Sequence, residues 1–552
     1  MKTGGQLLMD SLVNLGATRG FGVPGESYLA VLDAMVDHQD RFELTLCRQE
    51  GGAAYMAAAW GKLTGEPGLC FVTRGPGATN ATVGVHTAMQ DSVPMILFIG
   101  QVGSSIKGRE AFQEVDYEAF FGPLAKWAVQ IDDAARVPEI ISRAWSVALS
   151  GRPGPVVVAL PENMLVATSE VAPAKAVNIP EPAPTSANMA ALSKMVEAAV
   201  RPVLLIGGTR WREESARRIE AFAEATNIPV VAAFRFHDII DNDSPAYAGD
   251  AGVGMNAYMK ALLRESDLII ALNIRFGEST TDGYQLFDAP QMAARLVHSH
   301  SSDDEIGKIY AADLPIHAGP NEMASALASL SVGKGEARAD WYASARQNYL
   351  NSLQAPTQPG DADMGIITAH VQATLPDDAI VTHGAGNFSI WPNKFMQYGR
   401  HQRMLGPQSG SMGFGLPAAL AAKLHDPSRF VLCFAGDGDF QMNGTELGTA
   451  LQARIAPVIL IINNSSYGTI RMHQEREYPA RVSGTEIVNP DYMAIAAAYG
   501  FHGERVMRTE EFAAAYDRAC AAPNGGIVEI VTSTEAISPR TTISALRAAQ
   551  KG

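Results

Sequence analysis

Three doubly wound parallel-sheet domains of the α/β class are the fold this sequence predicts, and three observations carry the expectation. Short runs rich in Val, Ile and Leu recur throughout the 552 residues, alternating with stretches of helical composition. Two Pro-containing breaks, 171–188 and 350–363, part these runs into three successive blocks. In the last block, "RFVLCFA" (429–435), "NGTELGTALQARIA" (443–456) and "PVILIIN" (457–463) read as strand, helix and strand. That unit has the right length for a parallel crossover.

The first block, 1–170, offers strands in "GFGVPG", "FELTLCRQE", "GLCFVTRGPG", "PMILFIGQ" and "GPVVVALP". The stretch "VAPAKAVNIPEPAPTSAN" then reads as a linker. The second block, 188–345, offers "PVLLIGG" (202–208), "IPVVAAF" (228–234), "DLIIALN" (267–273) and "ARLVHSH" (294–300). The third, 360–552, runs through "AIVTHGAG", "RFVLCFAGDG", "PVILIINN" and "GIVEIVT". The first and third blocks are candidates for distant structural copies.

Composition narrows the function. Lys and Arg total 43 against 58 Asp and Glu, a net charge of −15, which argues against non-specific binding to nucleic acid or anionic membrane. Cys47, Cys70, Cys433 and Cys520 are scattered, with no CxxC pair. The amphipathic start "MKTGGQLLMDSLVNLGATRG" lacks the apolar core of a signal peptide, and no apolar run approaches a membrane span. A cytoplasmic setting is the expectation.

The crossover carries the chemistry. Asp437 and Asn464 fall at the carboxyl ends of neighbouring expected strands, where open α/β sheets bind ligands. One charged and one neutral oxygen donor suit Mg²⁺, which shares its oxygens with substrate phosphates. Gly436 and Gly438 allow close approach of a diphosphate, and a helix beginning near 440 would point its N-terminus at the anion. Taken singly, GDG is also an ordinary tight turn and NN an ordinary strand exit.

With "RGPGATN" (74–80), "GRPGPV" (151–156), "GFGLPAA" (413–419) and "GDGDFQMN" (436–443), the chain resembles the thiamine diphosphate (ThDP) enzymes over nearly its whole length, and among them the acetolactate synthase group. The resemblance implies a pyrimidine-binding, a central and a diphosphate-binding domain. It implies that Asp437, Asn464 and the Ser466 carbonyl hold Mg²⁺. It sets Gly386, Asn387, Phe388, Gly410, Gly436, Gly438, Asp439, Tyr467 and Gly468 around the diphosphate, with Phe388 where relatives often have His. Met412 is implied as the wedge that bends the cofactor, and Pro24, Gly25 and Asn80 complete the binding set. Glu50, between strand and helix, matches the glutamate that activates the aminopyrimidine; read alone, it is also a helix-N-terminal acid favoured by the dipole. In this family the two halves of a site come from different subunits, so a homodimer is the minimum and a homotetramer is expected.

On the substrate side the pattern departs from the synthases. "FGVPGESYLAVLDAM" (21–35) puts Glu26 where synthases usually have Gly and decarboxylases an acid that handles protons; it is either an active-site acid, whose pKa burial would raise, or a solvated turn residue. Gln113, in "AFQE" (111–114), follows the synthase pattern instead. His473 replaces the tryptophan that selects the acceptor in biosynthetic synthases; with Arg471 it is either a candidate for recognising a polar or anionic substrate or a solvated residue. "IGGTRW" (206–211), "GVGMN" (252–256) and "NIRFGE" (273–278) keep features of an FAD site, whereas "VHSHSSDDE" (297–305) lacks its Asp-x-Asp, so a purely structural central domain is the expectation.

The function implied is a ThDP- and Mg²⁺-dependent, acetolactate synthase-like enzyme. It would cleave a small 2-oxoacid or related carbonyl compound and transfer the activated aldehyde to an acceptor. A non-ligating decarboxylase or C–C lyase, and an FAD-containing oxidase, are the alternatives.

Overall fold

The computed structural model describes residues 1–333 and 335–549. Three six-stranded sheets follow one another along the chain, every strand pair within them parallel. The first comprises Arg19–Gly22, Glu43–Leu46, Gly68–Val72, Met95–Gln101, Trp127–Gln130 and Pro155–Pro161, in spatial order 2-1-3-4-6-5. The third comprises Ile380–His383, Arg403–Leu405, Val431–Gly436, Val458–Asn463, His502–Val506 and Gly526–Val531, again in order 2-1-3-4-6-5. Identical order makes the first and third units topological copies. The central sheet, from Pro202–Ile206 to Leu314–His317, has order 3-2-1-4-5-6, the arrangement of dinucleotide-binding sheets.

The sequence expectation misses one strand of the first sheet, two of the central and two of the third. These are Trp127–Gln130, Tyr247–Ala251, Leu314–His317, Arg403–Leu405 and His502–Val506, and each lies at a sheet edge. An inner strand with helices on both faces needs a continuous apolar run, such as "VLCFAG"; an edge strand does not. The helical reading of 443–456 is also too simple. The chain turns into helix at Asp437 itself (Asp437–Asn443), passes a 3₁₀ turn, and resumes as Leu447–Ala453.

The first and third units share one core. Helix Glu50–Thr64 is Gly- and Ala-rich and buried on nearly every side, as a helix enclosed by protein must be. It packs on the equally Ala-rich helix Gly415–His425. Small side chains permit the close approach: a Cβ on Gly52 would lie 2.4 Å from Glu446 Oε1. Glu446 is fully buried and accepts from the backbone N–H groups of Arg48 and Gln49 at 3.0–3.2 Å, fixing the turn that leads into Glu50.

Candidate active site

Strands Val431–Gly436 and Val458–Asn463 pair in register with Gly436 opposite Ile462, so Asp437 and Asn464 leave the sheet side by side. Between them opens a cleft of about 250 Å³. Gly386, Asn387, Phe388, Gly410, Met412, Gly436, Asp437, Gly438, Asp439, Asn464, Ser466, Tyr467 and Gly468 all line it. Its floor tolerates no side chains: a Cβ on Gly438 would come within 2.7 Å of the Tyr467 ring, and one on Gly436 within 2.7 Å of the Phe388 ring.

The two asparagines diverge. Asn463 ends the strand, buried, and donates to Glu529 Oε1 at 2.7 Å. Asn464 enters the cleft, its Oδ1 accepting from the Ser466 N–H at 3.1 Å. Asp437 is 3% exposed and accepts from Asn489 Nδ2 at 2.8 Å and from the Gly438 N–H at 3.0 Å. Burial pushes its carboxyl pKa up, and no Lys, Arg or His pairs with it among the described residues. A buried carboxylate without a cationic neighbour is costly unless a cation joins it. The described residues contain no group of three His, Cys, Asp or Glu suited to a metal, yet an acid, an amide and a carbonyl are hard oxygen donors of the kind Mg²⁺ takes beside phosphate. The residues therefore fit a Mg²⁺–diphosphate group.

Two residues expected at the diphosphate have other engagements. Asp439 Oδ1 accepts from the Ala385 and Gly413 N–H groups at 3.1 and 2.9 Å, tying together the two loops that flank the cleft. Burial lifts its pKa to about 7, against the pull of those N–H groups. Asn387 donates to the Ile537 carbonyl at 2.7 Å and accepts from Thr469 Oγ1 at 2.9 Å, fastening the C-terminal segment. The helix at Asp437 has only seven residues, too short for a full macrodipole, so an anion here depends mainly on direct contacts.

The N-terminal candidates gather elsewhere, at the carboxyl edge of the first sheet. Glu50 opens helix Glu50–Thr64 and its Oε2 accepts from Asn80 Nδ2 at 2.9 Å. Gly25 lies against Thr73 with no room for a Cβ (2.5 Å), and Gln113, at φ +64°, accepts from the Gly75 N–H at 3.0 Å. Pro24 and Asn80 are exposed. Pro24, Gly25, Glu26, Glu50, Asn80 and Gln113 are all absent from the lining of the chain's own cleft.

The substrate-side candidates lie outside the chain's own cleft. The Glu26 side chain is 69% exposed and paired with Arg74 at 2.9 Å, so burial does not act on it within the chain. His473 is exposed on helix Gly468–Glu477 and does not line the cleft, where Thr469 and Ile470 do. Arg471 pairs with the buried Glu475 at 2.9 Å, which Arg547 also engages. Sequence reading missed Asn489, Tyr492, whose hydroxyl donates to the Asp437 carbonyl at 3.2 Å, and the cleft-lining residues Thr532, Ala536, Ile537, Ser538 and Pro539. Asn489 and the 532–539 residues lie in irregular segments, and Tyr492 opens the helix Tyr492–Ala498 without a motif to mark it.

FAD is an open expectation for the central crevice. At its topological switch point about 20 Å³ remains, among Gly208, Thr209, Phe236, Asn273, Arg275 and His300. A Cβ on Gly208 would lie 2.3 Å from the Asn273 carbonyl, and Trp211 Nε1 donates to the Gly207 carbonyl at 2.8 Å. Helix Glu213–Thr226 begins with two glutamates where a pyrophosphate would need N–H groups and positive charge. His298 and His300 are buried with lowered pKa values, the latter about 4, and so present neutral imidazoles. The adjoining polar cleft of about 620 Å³ contains the ion pairs Arg400–Glu220 at 2.9 Å and Arg403–Asp238 at 2.7 Å, and Arg210, Arg212 and Arg429 also line it. The switch point itself, at about 20 Å³, is too narrow to admit a dinucleotide in this chain.

Hard oxygen donors without a cationic partner, above a glycine floor at the carboxyl ends of the third sheet's strands, suit a diphosphate-bearing ligand. Comparison with known proteins specifies the class. The chain matches the thiamine pyrophosphate enzyme N-terminal TPP binding domain over residues 2–120, the central domain over 189–327 and the C-terminal TPP binding domain over 384–530. It is 30% identical to the acetolactate synthase isozyme 2 large subunit of Escherichia coli K12, over 93% of this chain and 92% of that protein. It is 32% identical to the acetolactate synthase large subunit of Corynebacterium glutamicum, over 94% and 84% respectively. The chain belongs to the ThDP-dependent enzymes acting on carbonyl compounds, in their acetolactate synthase-like group.

Proposed function

We propose that this enzyme, with Mg²⁺ and ThDP, cleaves a 2-oxoacid or related carbonyl compound and transfers the activated aldehyde to an acceptor. The observation that carries the reading is the convergence of Asp437, Asn464 and Ser466 with the glycine floor in one cleft. When bound, ThDP supplies a thiazolium carbon that adds to a carbonyl and accepts the electrons of the breaking C–C bond. Asp437, Asn464 and Ser466 would hold Mg²⁺, Met412 would support the bent cofactor, and Asp439 keeps both cleft loops in place. Glu50, oriented by Asn80, would hold the proton exchanged with the aminopyrimidine. The test is purified protein with ThDP, Mg²⁺ and a panel of 2-oxoacids and 1,2-diketones, read by mass spectrometry. Absence of product from every donor would overturn the reading. Glu26 at the sheet edge favours a second reading, release of the aldehyde rather than ligation; the filled central crevice disfavours the oxidase.

The same reading places the enzyme in the cytoplasm, and no helix of the described residues is long and apolar enough to cross a membrane. It assigns 1–170 to pyrimidine binding, 188–345 to the central domain and 360–552 to the diphosphate and metal. Because the Glu50 set stands apart from its own chain's cleft, we infer a homodimer at minimum, paired further as a homotetramer, with each site shared between two copies. Mixing inactive Glu50→Gln and Asp437→Ala chains after mild dissociation is then expected to restore about a quarter of wild-type activity, because half of a random mixture is heterodimers with one intact site. No recovery, despite mass-spectrometric proof of exchange, would show that each chain completes its own site.

A further inference from the structure

Arg74 follows the strand Gly68–Val72 and precedes helix Gly75–Asp91, next to the Glu50 cluster. Its guanidinium is buried, at 7% exposure for the residue, an unusual place for a charge on a loop. Nη2 donates to Glu26 Oε1 at 2.9 Å and lies 3.1 Å from Glu162 Oε1; Nη1 donates to the Phe112 carbonyl at 3.4 Å. The next residue, Gly75, donates its N–H to the Gln113 carbonyl at 3.0 Å. One turn further along the same helix, Gly77 lies against Glu50, and Asn80 donates to it. A single planar cation thus ties the segments that follow Arg19–Gly22, Met95–Gln101 and Pro155–Pro161, beside the candidate catalytic glutamate. Phe112, the residue it holds by the backbone, is 72% exposed and presents its ring outward.

We propose that Arg74 is a positioning residue: its buried guanidinium fixes Glu26 and the Phe112–Gln113 turn at the Glu50 edge, and thereby sets whether the product leaves as free aldehyde or ligated. This rests on the reading above. Without that tie the Glu26 side chain, 69% exposed, would be mobile and unable to face one substrate atom reproducibly. Glu162, 44% exposed, serves as the second anchor that holds the guanidinium when Glu26 is altered. A lysine keeps the charge but lacks the planar fork that reaches three acceptors at once.

The test is a double-mutant cycle on the holoenzyme: wild type, Glu26→Gln, Arg74→Gln, both together, and Arg74→Lys. ThDP affinity is followed by calorimetry, and kcat, KM and the ligated-to-free product ratio are measured with one productive donor. Arg74→Gln is expected to shift the ratio in the same direction as Glu26→Gln, by about fivefold or more, and the double variant to exceed neither by much, as coupled residues do. ThDP affinity should stay near wild type and Arg74→Lys should rescue only partly. A wild-type ratio in Arg74→Gln, independent multiplication of the two effects, or full rescue by lysine would overturn the proposal. Should Arg74→Gln not fold, the lysine variant carries the same comparison. Should the wild type bind ThDP yet turn over no donor, the proposed function fails by itself. The clamp is then read from trypsin cleavage at Lys107 and Arg109, both exposed on the loop before Phe112. Loss of the Arg74 tie should accelerate that cleavage about tenfold; an unchanged rate overturns the clamp.

Discussion

Glu50→Gln is expected to lower turnover of a true substrate by about 10²–10⁴-fold, the range for a positioned proton-transfer group. The fold and cofactor affinity should remain. Glutamine is isosteric, and its carbonyl can still accept from Asn80 Nδ2, which now lies 2.9 Å from Oε2. What it cannot do is take up a proton. The loss of a negative charge in the first turn of helix Glu50–Thr64 costs about 0.3–1 kcal/mol through the dipole, small beside the kinetic effect. The discriminating measurement is exchange of the cofactor's C2 proton by NMR in the variant. Near-normal exchange would remove Glu50 from the activation step and leave it a helix-terminal acid.

Asp437→Ala should abolish joint binding of Mg²⁺ and ThDP, since it removes the cleft's one candidate metal ligand that carries a charge. Asn464 and the Ser466 carbonyl are neutral and cannot balance a divalent cation and a diphosphate alone. Folding should respond in the opposite sense. Burial raises the Asp437 pKa, so without a cation the ionised group opposes folding. Asp437→Asn, which keeps the shape, is therefore expected to raise the thermal midpoint of the cofactor-free protein while losing affinity. Calorimetry showing full-affinity ThDP binding in Asp437→Ala, or in excess chelator, would discard the metal assignment.

Much of the architecture was legible in the sequence, for a physical reason. A strand enclosed by helices on both faces must be apolar along its whole length, so "PMILFIGQ", "DLIIALN" and "PVILIINN" announce inner strands unaided. The meeting of Asp437 and Asn464 in one cleft was equally legible, because the two are close in sequence and constrained by one crossover. Edge strands such as Trp127–Gln130, half-buried at every position, carry no such demand and were missed.

Tertiary structure decided the rest. Which of two adjacent asparagines faces the cleft depends on Glu529 and Asn489, far along the chain, which claim Asn463 for the core side. Asp439 and Asn387 sit within diphosphate-like motifs, yet their polar atoms answer to Ala385, Gly413, Ile537 and Thr469. Likewise, Arg74 stands within "RGPGATN" as an unremarkable basic residue. Only packing buries it and brings Glu26, Glu162 and the Phe112 carbonyl within its reach. Motifs record what a short segment must satisfy locally. The partners of a buried polar group come from wherever the fold places them, and that is set by the packing of the whole chain.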